Sequence, residues 1–139
     1  MDRGEIIMEK TLAIIKPDAT ERNIVGEIIR IIEKNKFKIL RLNSMMLTES
    51  KAKEFYGVHS SKPFYNDLIE YMTSGMIVAI ELEKDNAVKE FRDLIGDTNP
   101  EHAKNGTIRK MFAINQSNNS IHGSDSKENA IKEINLIFN

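Results

Sequence analysis

The chain has 139 residues, 40% of them hydrophobic and 29% charged, which suits one globular domain long enough to bury a core. Its 20 basic and 21 acidic residues leave a net charge of −1, so there is no bulk attraction to nucleic acid or to an anionic membrane. With no cysteine, disulfides and thiolate metal sites are excluded and a reducing, cytoplasmic setting fits.

Residues 1 to 8 read as an N-terminal extension that can be disordered and carries no assigned function. They lack the apolar segment of a secretory signal, and no run in the chain approaches the ~20 apolar residues that span a bilayer. Residues 9 to 139 read as a single domain. Thr11 to Ile15 is an apolar run stopped by Pro17, expected to be a buried strand. From about Asn23 to Asn35, Ile24, Ile28, Ile31 and Ile32 recur at helical spacing. Phe37 to Leu47 alternates loosely, with Phe37 and Ile39, then Leu40 and Leu42, and predicts a half-buried strand. Thr48 to Lys51 starts a helix whose face carries Ala52, Phe55 and Tyr56. A second helix is expected from about Lys62 to Met72, with Phe64, Leu68, Ile69 and Met72 inward.

Met76 to Leu82 is the clearest strand. Asp85 is expected to cap a helix that runs to about Ile95 and buries Val88, Phe91, Leu94 and Ile95. Gly96 to Asn105 is polar and rich in turn formers. Ile108 to Ile114 reads as a helical turn followed by a strand. The last helix, Lys127 to Phe138, is expected to bury Ala130, Ile131, Ile134 and Ile137. Strands and helices interspersed in this way give an α/β or α+β sandwich, a sheet covered by helices, without fixing the strand order.

The richest chemistry lies in Asn119-Ser120-Ile121-His122-Gly123-Ser124-Asp125-Ser126. A neutral imidazole is a good nucleophile near neutral pH. The glycine and the helix-capping residue types after it suggest a histidine held in a loop at the mouth of a helix, or simply a surface turn.

This octapeptide resembles the active-site signature of nucleoside diphosphate kinases. Other segments resemble that family in order: Ile15-Lys16-Pro17-Asp18, Val25-Gly26-Glu27-Ile28-Ile29, Pro63-Phe64, Tyr71-Met72-Thr73-Ser74-Gly75, Gly96-Asp97-Thr98-Asn99-Pro100 and Gly106-Thr107-Ile108-Arg109. Together they cover residues 9 to 139, and several motifs in register are far more specific than one. The resemblance implies a ferredoxin-like βαββαβ fold with a four-stranded antiparallel sheet and added helices. It implies transfer of the terminal phosphate of a nucleoside triphosphate, typically ATP, to a nucleoside diphosphate through a phosphohistidine on His122.

Carried over residue by residue, the resemblance makes Glu133 the partner that fixes the imidazole tautomer and Ser124 the support of that glutamate. Lys16, Arg92, Thr98 and Arg109 match phosphate-binding groups, and Tyr56 a tyrosine near the histidine. Asn119 matches the asparagine that contacts the sugar hydroxyl, while Phe64 and Leu68 match the positions that hold the base. Several also have a plain reading: Ser124 as a helix cap, Glu133 and the basic residues as solvated charge, Phe64 and Leu68 as helix core. His59, His102 and His122 have no ligand-like spacing, so magnesium is expected to arrive on the nucleotide phosphates. Asp125 matches a family aspartate without an assigned role.

The sequence departs from the family pattern at Met76, where proline is usual, at Lys110-Met111, where an aspartate usually precedes the phenylalanine, and at Lys62, a frequent arginine. The resemblance is to the shorter, bacterial-type members, and it implies a homo-oligomer, tetramer or hexamer, built from a common dimer. No membrane or specific nucleic-acid partner is expected. The rival readings are a catalytically idle interaction or nucleic-acid-binding module on the same fold and a histidine phosphocarrier that docks a partner protein.

Overall fold

A computed structural model describes residues 8–139. The expected extension therefore lies outside the described residues, except for Met8, which already pairs with Asp85. Four strands, β1 (Met8–Ile15), β2 (Lys38–Met45), β3 (Ile77–Asp85) and β4 (Ile121–Gly123), form one antiparallel sheet in the order β2-β3-β1-β4. This is the ferredoxin-like arrangement.

Among the described residues seven α-helices accompany the sheet: α1 (Pro17–Glu21), α2 (Val25–Lys34), α3 (Glu49–Phe55), α4 (Tyr65–Met72), α5 (Ala87–Ile95), α6 (Ile108–Phe112) and α7 (Lys127–Phe138). The central strands β1 and β3 are buried on both faces, so they read as continuous apolar runs instead of alternating ones. Ala13, Ile15, Val78 and Ile80 face a core with Ile28 and Ile32 of α2 and Phe91 and Ile95 of α5. Leu12, Ile14, Ile77 and Ala79 face the other core, with Ala52 of α3, Ile69 and Met72 of α4, and Ile134 and Ile137 of α7. The two-residue period of the strands thus sorts one sequence into two cores.

The edge strand β2 carries a bulge between Ile39 and Arg41. That is where the apolar phase moves from Ile39 to Leu40, because one extra residue flips the face. Four expectations need correction. Asp85 ends β3 and caps nothing; α5 begins after Asn86, which has φ 55, and the Val88 N–H donates to Glu9 Oε1 of β1 at 2.8 Å. A carboxylate distant in sequence does the work expected of a local cap. The strand expected directly after the helical turn of α6 does not form, because the chain turns back at Ile114, whose N–H donates to the Asn118 carbonyl, and the next strand is β4. Ile131 is 61% exposed, since Ala130, Ile134 and Ile137 already define the inward face of α7. Phe64 is not in the core either: it stands at the entry to α4, 48% exposed.

Among the described residues no helix is long and apolar enough to cross a membrane.

Candidate active site

The turn signals around His122 conceal a strand. Ile121, His122 and Gly123 form β4 and pair with Ile15, Ile14 and Ala13 of β1. Ile121 and Gly123 face the α2/α5 core, so alternation sends His122 to the opposite face, toward α3 and α7. There its ring meets Phe55 edge-on at 5.3 Å between centroids, with the planes 73° apart. The glycine next to it is required by packing and not by a turn. A Cβ at Gly123 would lie 2.8 Å from Phe91 Cδ2.

His122 Nε2 lies 2.8 Å from Glu133 Oε1, and Ser124 Oγ donates to the same oxygen at 2.8 Å. A carboxylate only accepts, so the ring proton is assigned to Nε2 and the Nδ1 lone pair is left free. Ser124 Oγ also accepts the Leu12 N–H at 3.2 Å, tying the glutamate to the central strand. Ser124 is therefore not the cap of α7; Ser126 is, accepting from the Asn129 N–H.

A cleft of about 810 Å³ opens beside the histidine. All the other residues singled out from the sequence line it: Lys16, Tyr56, Phe64, Leu68, Arg92, Thr98, Arg109, Asn119 and Glu133 along with His122. Only Ser124 stands behind it. Lys16 leaves the end of β1 as the residue before α1, and its ammonium donates to Asn119 Oδ1 at 2.8 Å. Burial, then the nearby Arg109, lowers the Lys16 pKa to about 7, against the opposing pull of Asp18. Asn119 in turn donates to the Thr98 carbonyl at 3.3 Å.

Arg109, in the first turn of α6, is buried and donates to two backbone carbonyls, Gly96 at 2.9 Å and Ile121 at 2.7 Å. Its Nε is buried without a partner among the described residues. Burial, then Arg92, brings its pKa down to about 10, while Asp97 raises it. Lys16 and Arg109 thus press on each other in a partly desolvated cleft, with Arg92 at the mouth. A polyanion would relieve that mutual repulsion. Tyr56 is buried at the end of α3 with its hydroxyl unpartnered among the described residues. Burial, then the Glu133 charge, pushes its pKa up, which keeps the phenol a donor.

Phe64 and Leu68 sit one turn apart at the outer wall, Phe64 half-exposed and Leu68 partly buried. Sequence reasoning missed His59. It lines the cleft with its ring 5.7 Å from Phe64, and its Nδ1 is buried without a partner among the described residues. Burial, then Lys62, lowers its pKa. Nothing in its local sequence marks it, because the turn Gly57–His59 that carries it lies between two helices. No three His, Asp or Glu side chains among the described residues group to hold a metal. The cleft instead offers cations, the donor set for phosphate oxygens.

A family model described as nucleoside diphosphate kinase matches residues 9–139. A nucleoside diphosphate kinase of Lawsonia intracellularis is 52% identical over 132 residues, covering 95% of this chain and 96% of that protein. One from Campylobacter curvus is 52% identical over 131 residues, covering 94% and 96%. Among solved structures, the Aquifex aeolicus nucleoside diphosphate kinase superposes with a TM-score of 0.93 at 41% identity, covering 96% of each chain. That of Encephalitozoon cuniculi superposes at 0.90 with 38% identity, covering 92% of this chain and 87% of that one.

Proposed function

The chain belongs to the nucleoside diphosphate kinase family, a family of enzymes, and from that premise we propose a ping-pong transfer in which His122 carries the phosphoryl group. The observation that carries this reading is the pairing of His122 Nε2 with Glu133 at 2.8 Å on the wall of a cleft lined by Lys16, Arg92 and Arg109. With the proton held at Nε2, Nδ1 keeps its lone pair for the attack.

In the first half-reaction the Nδ1 lone pair attacks the terminal phosphorus of a nucleoside triphosphate such as ATP. The nitrogen–phosphorus bond forms, and the bond from phosphorus to the bridging oxygen breaks. Its electron pair leaves on the diphosphate. The ring becomes an imidazolium whose Nε2–H faces the Glu133 carboxylate, which stabilises the new positive charge. A second diphosphate then attacks the phosphohistidine through its terminal oxygen and restores the neutral ring. Such a transition state spreads negative charge over the transferring oxygens, and Lys16, Arg92, Thr98 and Arg109 are the groups proposed to meet it. Tyr56 and Asn119 are proposed to donate to the phosphates and the sugar, and Phe64 and Leu68 to hold the base. Stacking on Phe64 discriminates little among bases.

Magnesium would be held by phosphate oxygens and water, beside the cations of the cleft, and would supply neutralisation of the phosphate charge. We place the activity in the cytoplasm, which the lack of cysteine suits, and in a homo-oligomer, for which light scattering reads tetramer against hexamer.

Intact mass after mixing with magnesium and ATP tests the reading. One phosphoryl gained by the wild type, absent in His122→Ala and discharged by GDP, is the expected result. A folded wild type that gains none overturns it.

A further inference from the structure

One buried charge lies behind the cleft and outside the chemistry so far described. Asp18, in the first turn of α1, is 6% exposed, and four donors converge on its carboxylate. The Ser120 N–H donates to Oδ1 at 3.1 Å and the Ser120 hydroxyl to Oδ2 at 2.7 Å. Arg22 Nη2 donates to Oδ2 at 3.0 Å, and the Tyr71 hydroxyl to Oδ1. An acceptor-only group suits four donors; an amide in its place would turn an N–H toward some of them.

The residue so gripped is conformationally unusual. Ser120 has φ 71, and the Ile121 N–H donates to the Asn119 carbonyl at 2.8 Å, two residues back. An i to i+2 bond around a positive φ is the rare, strained form of γ-turn. Such conformations persist only where the surroundings hold them. Here Asp18 holds the Ser120 N–H and hydroxyl, and the Lys16 N–H donates to the Ser120 carbonyl at 2.8 Å. The turn separates Asn119, which faces the Lys16 ammonium, from Ile121 and His122, which join the sheet. If it relaxed, Asn119 and His122 would move relative to each other and to Lys16.

We propose that Asp18 is a positioning residue, acting through Ser120 to hold the strained turn that sets His122 and Asn119 against Lys16. The proposal rests on the kinase reading above. It concerns the geometry of transfer more than the holding of nucleotide, because Asp18 itself lies behind the phosphate-facing side chains.

The test is the rate of phosphorylation of His122 by ATP, followed by intact mass, beside the Kd for ADP. Asp18→Asn is expected to slow labelling by about tenfold or more, as a small misplacement of a reacting group does, with the Kd within about threefold. Adding Ser120→Gly supplies the residue for which φ 71 is unstrained, so the double variant is expected to regain at least half of the lost rate on a logarithmic scale. A merely structural Asp18 predicts no such rescue. Should Asp18→Asn fail to fold, Ser120→Ala and Ser120→Gly decide the matter: both lose the hydroxyl bond, only alanine keeps the strain, and alanine is expected to be slower. A folded Asp18→Asn that labels at the wild-type rate, a double variant no faster than Asp18→Asn, or equal rates for Ser120→Ala and Ser120→Gly overturns the proposal while the kinase reading stands. A wild type that does not label overturns both.

Discussion

The Lys16 ammonium donates to Asn119 Oδ1 at 2.8 Å, joining residues 103 positions apart at the end of β1 and just before β4. A neutral amide oxygen is the direct partner of a buried cation on which the repulsion of Arg109 outweighs the pull of Asp18. That arrangement leaves the lysine short of negative charge until a ligand supplies it.

The consequence is a proton linked to nucleotide binding. With its pKa lowered to about 7, Lys16 is charged in the free protein below that pH and largely neutral above it. A triphosphate stabilises the charged form, so binding at higher pH draws a proton in. Affinity is expected to fall as pH rises above 7, by up to about tenfold per unit. Calorimetry at pH 8 in two buffers of different ionisation enthalpy should read about one proton taken up, lost in Lys16→Met. The fold shows the opposite sign. The unfolded chain keeps this proton toward 10.5 and the folded chain releases it near 7, so this group's contribution to stability rises with pH between the two values. No proton uptake at pH 8 would mean that Lys16 is already charged in the free cleft.

Glu133 Oε1 takes two donors, from His122 and Ser124. Glu133→Gln keeps an oxygen there and loses the charge that would face an imidazolium. Phosphorylation of His122 is expected to slow by about 10- to 100-fold, the range typical when a group that orients a reacting side chain is removed. Ser124→Ala leaves the carboxylate in place and should cost less. Rapid-quench labelling with ATP reads both, and a Glu133→Gln rate equal to wild type would remove the carboxylate from the mechanism.

Phe64 offers an aromatic face at the outer wall, backed by His59 and approached by Lys62 at 5.7 Å from the ring centroid. Base stacking is worth about 1–3 kcal/mol, so Phe64→Ala should raise the Kd roughly 5- to 150-fold for every nucleoside diphosphate. Competition titrations with ADP, GDP, CDP and UDP should give similar factors. A loss confined to one base would point to hydrogen-bond readout of that base.

Much of this site was legible because chemistry-bearing motifs survive as short local strings, while their supports do not. Lys16, Asn119 and His122 stand in two such strings. Glu133 could be matched by position, but its bond to His122 depends on α7 packing against β1 next to β4, which no local pattern states. The strand nature of β4 was hidden because three residues are too few to show alternation, and its capping-type neighbours spoke for a turn. The cap of α5 was misread for a related reason: Glu9 reaches it only because β1 lies against the helix. His59 carried no signal, since its place in the cleft comes from the turn between α3 and α4. Both faces of β1 and β3 being covered, those two strands announced themselves as apolar runs.

Gly123 shows how closely the sheet and the nucleophile are coupled. It pairs with Ala13, and its open side is filled by Phe91, itself fully buried and packed edge-on against Phe37 at 5.4 Å. A methyl group at Gly123 would stand 2.8 Å from Phe91 Cδ2 and 3.1 Å from Ile95 Cδ1. Either Phe91 leaves its place or the three-residue strand lifts, and a lifted strand carries His122 away from Glu133. Gly123→Ala is expected to cost about 1–3 kcal/mol in urea denaturation, the usual penalty of overpacking. It should also slow labelling of His122 at temperatures where the variant is fully folded. Phe91→Leu removes the ring edge that the methyl meets, so the double variant should be more stable than the sum of the two single changes. Strictly additive losses would show that the methyl is absorbed elsewhere and that Phe91 does not set the height of the strand.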